Sequence, residues 1–117
     1  MPARSLSEMS FATIYPLYVA KVERKGHSHT ELDELIHWLT GYDAAGLDAV
    51  ISEQRSLAQF FEQAPSYNPN AELITGVICG CRVETITDPL MRQIRQLDKI
   101  VDELAKGKAL TKIMRTA

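Results

Sequence analysis

The clearest pattern of hydrophobic and polar positions lies between Asp88 and Gly107. Asp88 can accept hydrogen bonds from the amides of a first helical turn, Pro89 suits the first helical position, and Gly107 suits the left-handed residue that follows a helix. The aliphatic residues between them recur at alternating intervals of four and three positions: Leu90, Ile94, Leu97, Val101 and Leu104. This spacing predicts a long helix with one apolar face, against which the rest of the chain should pack.

Shorter amphipathic helices are predicted in the first half of the chain. Each would begin at a small polar residue whose side chain can cap a helix, namely Ser10, Ser28 or Thr30, Asp43 and Ser56. Gly41 and Pro65 would end the second and the fourth of them. Pro16 would either lie in the first turn of a short first helix or kink a longer one. Residues 109–117 would form a last short helix or a frayed tail.

Residues 73–86 do not fit one pattern. Their β-branched residues favour a strand, but strict alternation fails and no second strand is evident to pair with it. As a helix, the segment would place Gly76 and Gly80 on one face, where a neighbouring helix could approach closely. We therefore favour a helix here and keep a short strand as the alternative.

Together these patterns predict an all-α fold, a single compact domain of five or six helices with the helix at 88–106 in its centre. The alternative is an α+β fold with a short strand within residues 73–86. A chain of 117 residues has the length of one domain, residues 1–117. The polar residues 1–8 should be disordered.

Composition narrows the class of protein. Hydrophobic residues make up 45% and charged residues 24% of the chain, as in ordinary globular proteins. No stretch has the roughly 18 apolar residues of a membrane helix, and no signal peptide is evident. The net charge of −2 provides no basic field, so nucleic-acid binding is disfavoured. Two cysteines without a disulfide framework suit a reducing compartment, so we expect a cytoplasmic protein.

Five polar residues near the start of the long helix form a cluster: Arg82, Glu84, Asp88, Arg95 and Asp98. All of them except Asp88 are candidate ligand-binding residues. In one interpretation they form ion pairs on a solvated face, each worth roughly a few tenths of a kcal/mol. In the other, the arginines bind an anionic ligand bidentately and a carboxylate acts as a base. Spacing alone favours the ion pairs.

The aromatic residues of the first half form a second candidate group, which consists of Tyr15, Tyr18, Trp38 and Tyr42. Their simplest role is to pack in the core and at its rim, where their polar atoms find partners. The alternative is one wall of a ligand cleft or an interface. We therefore add Tyr15, Trp38 and Tyr42 to the candidate ligand-binding residues.

No metal or cofactor site is predicted. Cys79 and Cys81 supply only half of a zinc site, and the three histidines do not follow them at the usual spacing. The simplest role of the two cysteines is that of small buried hydrophobic residues. No nucleophile–base pair and no phosphate-binding loop is evident, which leaves open whether the protein is an enzyme.

Four blocks of the sequence together carry a resemblance to a known family. They are residues 9–26 (MSFATIYPLYVAKVERKG), 38–43 (WLTGYD), 60–65 with 68–70 (FFEQAP, NPN), and 73–110, which begins LITGVICGCRVETITDPL. In these blocks the chain resembles a family of small, uncharacterised bacterial proteins, domain of unknown function 2200. The resemblance implies a single compact domain and implies no activity.

The sequence leaves two functions open. The first is a non-catalytic binding or interaction module, of which a homodimer joined along the apolar face of the long helix would be one form. The second is a small enzyme or metabolite-binding protein, whose site would lie where Arg82, Glu84 and Arg95 meet the aromatic residues. In both cases the partner, whether protein or small molecule, is unknown from the sequence.

Overall fold

The computed structural model describes residues 8–116 and consists mainly of α-helices. There are six within this range: α1 (Phe11–Glu23), α2 (His29–Thr40), α3 (Ala44–Ser52), α4 (Leu57–Glu62), α5 (Pro89–Ala105) and α6 (Leu110–Ile113). A two-stranded antiparallel hairpin, β1 (Val77–Ile78) and β2 (Cys81–Arg82), lies between 3₁₀ turns at Pro69–Leu73 and Val83–Thr85. The predicted all-α fold is confirmed. The expectation of disorder for residues 1–8 falls, apart from Glu8, outside the described residues.

Five of the helices are preceded by N-cap residues that the sequence predicts: Ser10, Ser28, Asp43, Ser56 and Asp88. In each, the side-chain oxygen accepts a hydrogen bond from the backbone amide three positions ahead. Pro16 lies inside α1 and is exposed. Because it has no amide to donate, α1 continues through it with one hydrogen bond fewer.

Helix α5 is the central element of the fold and contacts α1, α2, α4, α6 and the hairpin. Its predicted apolar face is buried, apart from the half-buried Leu90. Because this face packs inside the chain, it offers no seam to a second copy. The large hydrophobic side chains that stay exposed within residues 8–116 are Leu17, Leu73 and Val77.

The other side of α5 is covered as well, although the sequence suggests a solvated face. Asp102 and Glu103 are only 9% and 8% exposed. Lys21 and Lys106 lie 3.1 and 2.9 Å from the Asp102 carboxylate, and Arg115 donates two hydrogen bonds to Glu103. Burial alone would raise the pKa values of both carboxyl groups, but these cations hold them below their ordinary values.

Residues 77–82 form a hairpin, so the helix that we favoured for residues 73–86 is wrong and the alternative of a short strand within them is confirmed. Ile78 pairs with Cys81, which leaves Cys79 and Gly80 as the turn. The φ angles of these two residues are 51° and 76°, as in the two-residue type I′ turn of a hairpin. Asn or Asp usually occupies the first position of this turn. With strands of only two residues, no alternation of hydrophobic and polar positions could develop.

Gly41 allows the end of α2 to approach the segment that follows α4. It has a left-handed φ of 84°, and a Cβ at this position would lie 2.8 Å from the Ser66 nitrogen. The amides of Ser66 and Asn68 donate to the carbonyls of Thr40 and Leu39 over 3.0 and 2.8 Å. Only glycine therefore fits both the backbone angle and the space.

We expect Gly41→Ala to destabilise the protein more than Gly26→Ala does. The two glycines have nearly the same φ, 84° and 85°, so alanine at either should cost about 1 kcal/mol in backbone strain. A Cβ at Gly26 would meet nothing within 4 Å, whereas one at Gly41 would displace Ser66. The additional loss should be about 1–3 kcal/mol in the free energy of unfolding, measured with urea. Equal losses in the two variants would contradict the close packing at Gly41.

Candidate functional site

An open groove of about 1120 Å³ lies along α2. We call it the α2 groove. Its apolar lining includes four buried or half-buried residues, namely Trp38, Tyr42, Leu47 and Met114. Its polar lining includes the half-buried Asp33 and the exposed Glu34, His37 and Asp43.

A second helical stripe on α2 supplies most of the polar lining of the groove. Asp33, Glu34, His37 and Trp38 recur at the spacing of one helix face, beside the apolar residues that enter the core. The ring of His37 is fixed because its Nδ1 lies 2.9 Å from the carbonyl oxygen of Tyr42. Tyr42 is fixed in turn, since its hydroxyl donates to the Phe60 carbonyl over 2.7 Å.

Tyr15 does not line the α2 groove but supports it from α1. Its hydroxyl donates a hydrogen bond of 2.5 Å to Asp33. Burial, together with this bond and the charge of Asp33, raises the pKa of Tyr15. The bond holds the Asp33 carboxylate at the edge of the groove.

A smaller depression of about 480 Å³ lies between the hairpin and the start of α5. We call it the arginine pocket. Its lining includes Cys81, Arg82, Thr85, Thr87, Asp88 and Arg95. The side chain of Arg82 is 59% exposed and that of Arg95 is 19% exposed. The two arginines that the sequence suggests as anion ligands thus line one pocket.

Hydrogen bonds that reach α1 hold Arg95 in place. Its Nη1 donates to one oxygen of Asp98 over 2.9 Å, and the Tyr18 hydroxyl donates to the other oxygen of Asp98. Burial alone would lower the pKa of Arg95, but the bond to Asp98 and its charge raise it. The Arg95 Nε is buried and has no hydrogen-bond partner within residues 8–116. The guanidinium is therefore fixed without having all its donors engaged.

Glu84 is only loosely tied to Arg82. Its Oε2 lies 3.8 Å from Arg82 Nη1, while its Oε1 accepts a hydrogen bond of 3.1 Å from the Gly76 amide. The backbone hydrogen bond from Gly76 is the main reason that the pKa of Glu84 is below its ordinary value. Glu84 thus braces the hairpin and leaves Arg82 largely free.

The structure does not bring the two predicted groups of residues together. Trp38 and Tyr42 line the α2 groove, Arg82 and Arg95 line the arginine pocket, and no described residue lines both. Sequence reasoning missed Asp33 and Glu34 as groove residues, although their helical spacing with Trp38 was a signal for a second face on α2. It had no means of pairing Asp98 with Tyr18, because Tyr18 lies on α1, far from Asp98 in the sequence.

The two cysteines differ from the buried hydrophobic residues that we expected. Both are free; Cys79 is exposed and Cys81 is half-buried.

Among the described residues, no three His, Cys, Asp or Glu side chains are grouped as metal ligands would be. Nor does any helix in that part of the chain have the length and apolar character to cross a membrane.

Comparisons with known proteins reveal relatives but no activity. A family model described as "Uncharacterized protein conserved in bacteria", domain of unknown function 2200, matches residues 5–115. A crystal structure of "uncharacterized protein SP1917" is similar to this chain, with 45% identity and a TM-score of 0.88. The similarity covers 97% of this chain and 94% of that one. None of the curated proteins matches.

We expect the tyrosines to ionise only when the protein unfolds. Burial is the first cause that raises the pKa of each of the four: Tyr15, Tyr18, Tyr42 and Tyr67. An unfolded tyrosine loses its proton near pH ~10, so above this pH the unfolded state binds fewer protons and stability should fall. In an alkaline titration, tyrosinate absorbance should rise together with the loss of helical circular dichroism. Full tyrosine ionisation near pH ~10 with an intact helical signal would contradict this expectation.

Proposed function

The chain belongs to the bacterial family of domain of unknown function 2200, and for this member we propose an interaction module that binds a basic peptide segment in the α2 groove. The charge of the groove carries the proposal. The carboxylates of Asp33, Glu34 and Asp43 lie around an apolar floor, and none of the described lining residues is Lys or Arg. A cationic segment would find complementary charge there.

Each of the three carboxylates keeps an oxygen available for a ligand. Glu34 is exposed and makes no hydrogen bond or ion pair within the described chain. One oxygen of Asp33 accepts from Tyr15, and one oxygen of Asp43 accepts from the Gly46 amide over 2.7 Å. The second oxygen of each can accept a hydrogen bond from a lysine or arginine of the partner.

The floor of the groove suits the apolar part of a basic side chain. Lys and Arg bury their alkyl stems on apolar surface while their charge stays in water. The ring of Trp38 can in addition attract a cation placed over its face. The groove of about 1120 Å³ is open along α2, so a segment of polypeptide can lie in it.

The proposal includes a cytoplasmic location, because the two free cysteines suit a reducing compartment.

A second candidate function is the binding of a small anionic metabolite. The convergence of Arg82 and Arg95 on one pocket favours it, because guanidinium groups bind carboxylates and phosphates bidentately.

The fluorescence of Trp38 should report peptide binding directly, since the chain has no other tryptophan. A short peptide rich in Lys and Arg should change this fluorescence on titration. The double variant Glu34→Gln, Asp43→Asn should raise the Kd about tenfold, because two lost surface attractions of ~0.7 kcal/mol each correspond to that factor. Asn also caps helices, so α3 should stay folded in the variant.

The matched control is Glu23→Gln with Glu62→Gln. It removes the same charge at two exposed positions that do not line the groove, so the Kd should stay unchanged. Equal binding of a peptide rich in Asp and Glu would refute the proposal. So would an unchanged Kd in the groove variant.

Light scattering on the protein alone tests whether the partner is a second copy of the chain. If one copy inserts a basic segment into the groove of the other, the protein forms a homodimer. We expect that dimer to dissociate in the Glu34→Gln, Asp43→Asn variant and to persist in the control. A dimer that persists in both variants would be joined by another surface.

A further inference from the structure

We propose that Cys81 is a modification site at which an acidic disulfide, a low-molecular-weight disulfide that carries carboxylates, forms a mixed disulfide with the protein. The site is the arginine pocket, and the inference does not depend on the α2 groove. It is based on a free thiol and two guanidinium groups that line the same small pocket.

The position of Cys81 distinguishes it from the other thiol. Cys81 lies in β2, is half-buried and lines the pocket. Cys79 is exposed in the turn and is not part of the lining. A reagent that is held in the pocket therefore meets Cys81, whereas a reagent from bulk solvent can reach Cys79 without entering it.

The two arginines provide charge for the carboxylates of the disulfide. Arg82 follows Cys81 directly, and its only ion-pair partner in the described chain is Glu84, at 3.8 Å. A carboxylate can displace so long a contact and accept two parallel hydrogen bonds from Arg82. Arg95 adds a fixed guanidinium whose Nε is unpaired; its charge is near both cysteines, but only Cys81 lines the pocket with it.

Two acidic groups lie at or near the pocket. Asp88 lines it, but its Oδ2 accepts the Met91 amide over 2.8 Å and caps α5. Asp98 is shared between Tyr18 and Arg95. The Asp88 side chain is exposed and keeps its other oxygen free, so the pocket lining contains two guanidinium groups and one carboxylate, with Arg82 as the more exposed of the two cations.

The reaction is a thiol–disulfide exchange and needs no other oxidant. The thiolate sulfur of Cys81 attacks one sulfur of the ligand, and a new sulfur–sulfur bond forms as the bond within the ligand breaks. The other half of the ligand leaves as a thiolate and takes up the proton that the Cys81 thiol has lost. The Cys81 sulfur is oxidised from the thiol to the disulfide level, the leaving sulfur is reduced from the disulfide to the thiol level, and the sulfur retained on Cys81 stays at the disulfide level.

The experiment compares disulfides of opposite charge on one thiol. In the Cys79→Ser background, the rate of mixed-disulfide formation is followed by intact mass with dithiobis(nitrobenzoate), which is anionic, and with cystamine, which is cationic. We expect Arg82→Ala to slow the anionic reagent about tenfold and not to slow cystamine, because the variant removes attraction only for an anion. Oxidised glutathione should follow the anionic reagent.

Two further variants serve as controls. Arg24→Ala removes the same charge from an exposed position outside the pocket and should leave both rates unchanged. Cys81→Ser, which retains Cys79, should react with little preference for the anionic reagent and little response to Arg82→Ala. The proposal is overturned if Arg82→Ala changes the two rates equally or not at all. It is overturned too if Cys81 stays unmodified under conditions in which Cys79 reacts.

Discussion

The structure depends on the pairing of polar side chains along a central helix that neighbours cover on every side. No residue of α5 after Pro89 is fully exposed. An unpaired buried donor or acceptor costs about 1–3 kcal/mol, so polar groups on such a helix are stabilised by partners in neighbouring segments. Gln96 bonds to the chain before the hairpin, Asp102 to α1, and Glu103 to the residues after α6. The apolar face holds α5 in the core, and these polar contacts determine which segment lies against which part of it.

Helix α1 packs against α5 and supports both candidate sites through its tyrosines. Tyr15 and Tyr18 lie one turn apart, and each donates its hydroxyl hydrogen to an aspartate on another helix. Tyr15 holds Asp33 at the α2 groove, and Tyr18 holds Asp98, which positions Arg95 in the arginine pocket. The aromatic residues that the sequence suggested as ligand contacts thus act in part as supports, and the ligand-facing charges are carried by their partners.

The sequence predicts the local features of the fold and misses those that need distant partners. The structure confirms caps such as Ser10 and Asp88 and the apolar face of α5, because each of these features depends only on residues close together in the sequence. A helical stripe shows which residues are apolar but not how many segments surround the helix, so the burial of Glu103 could not be foreseen. The hairpin was missed because its strands are short and Cys79 occupies a turn position where Asn is the recognisable signal.

The hydrogen bond between Tyr18 and Asp98 also has a consequence for folding order. The two residues are separated by 80 positions in the chain, so the bond closes one of the longest loops in the molecule. Contacts of such high sequence separation form only after the entropy of loop closure has been overcome, and during synthesis α1 leaves the ribosome well before α5. The lining of the arginine pocket comes from one stretch of the chain, residues 81–95, but the support of Arg95 through Asp98 is completed only when the first and the fifth helix meet, and it is lost whenever they separate.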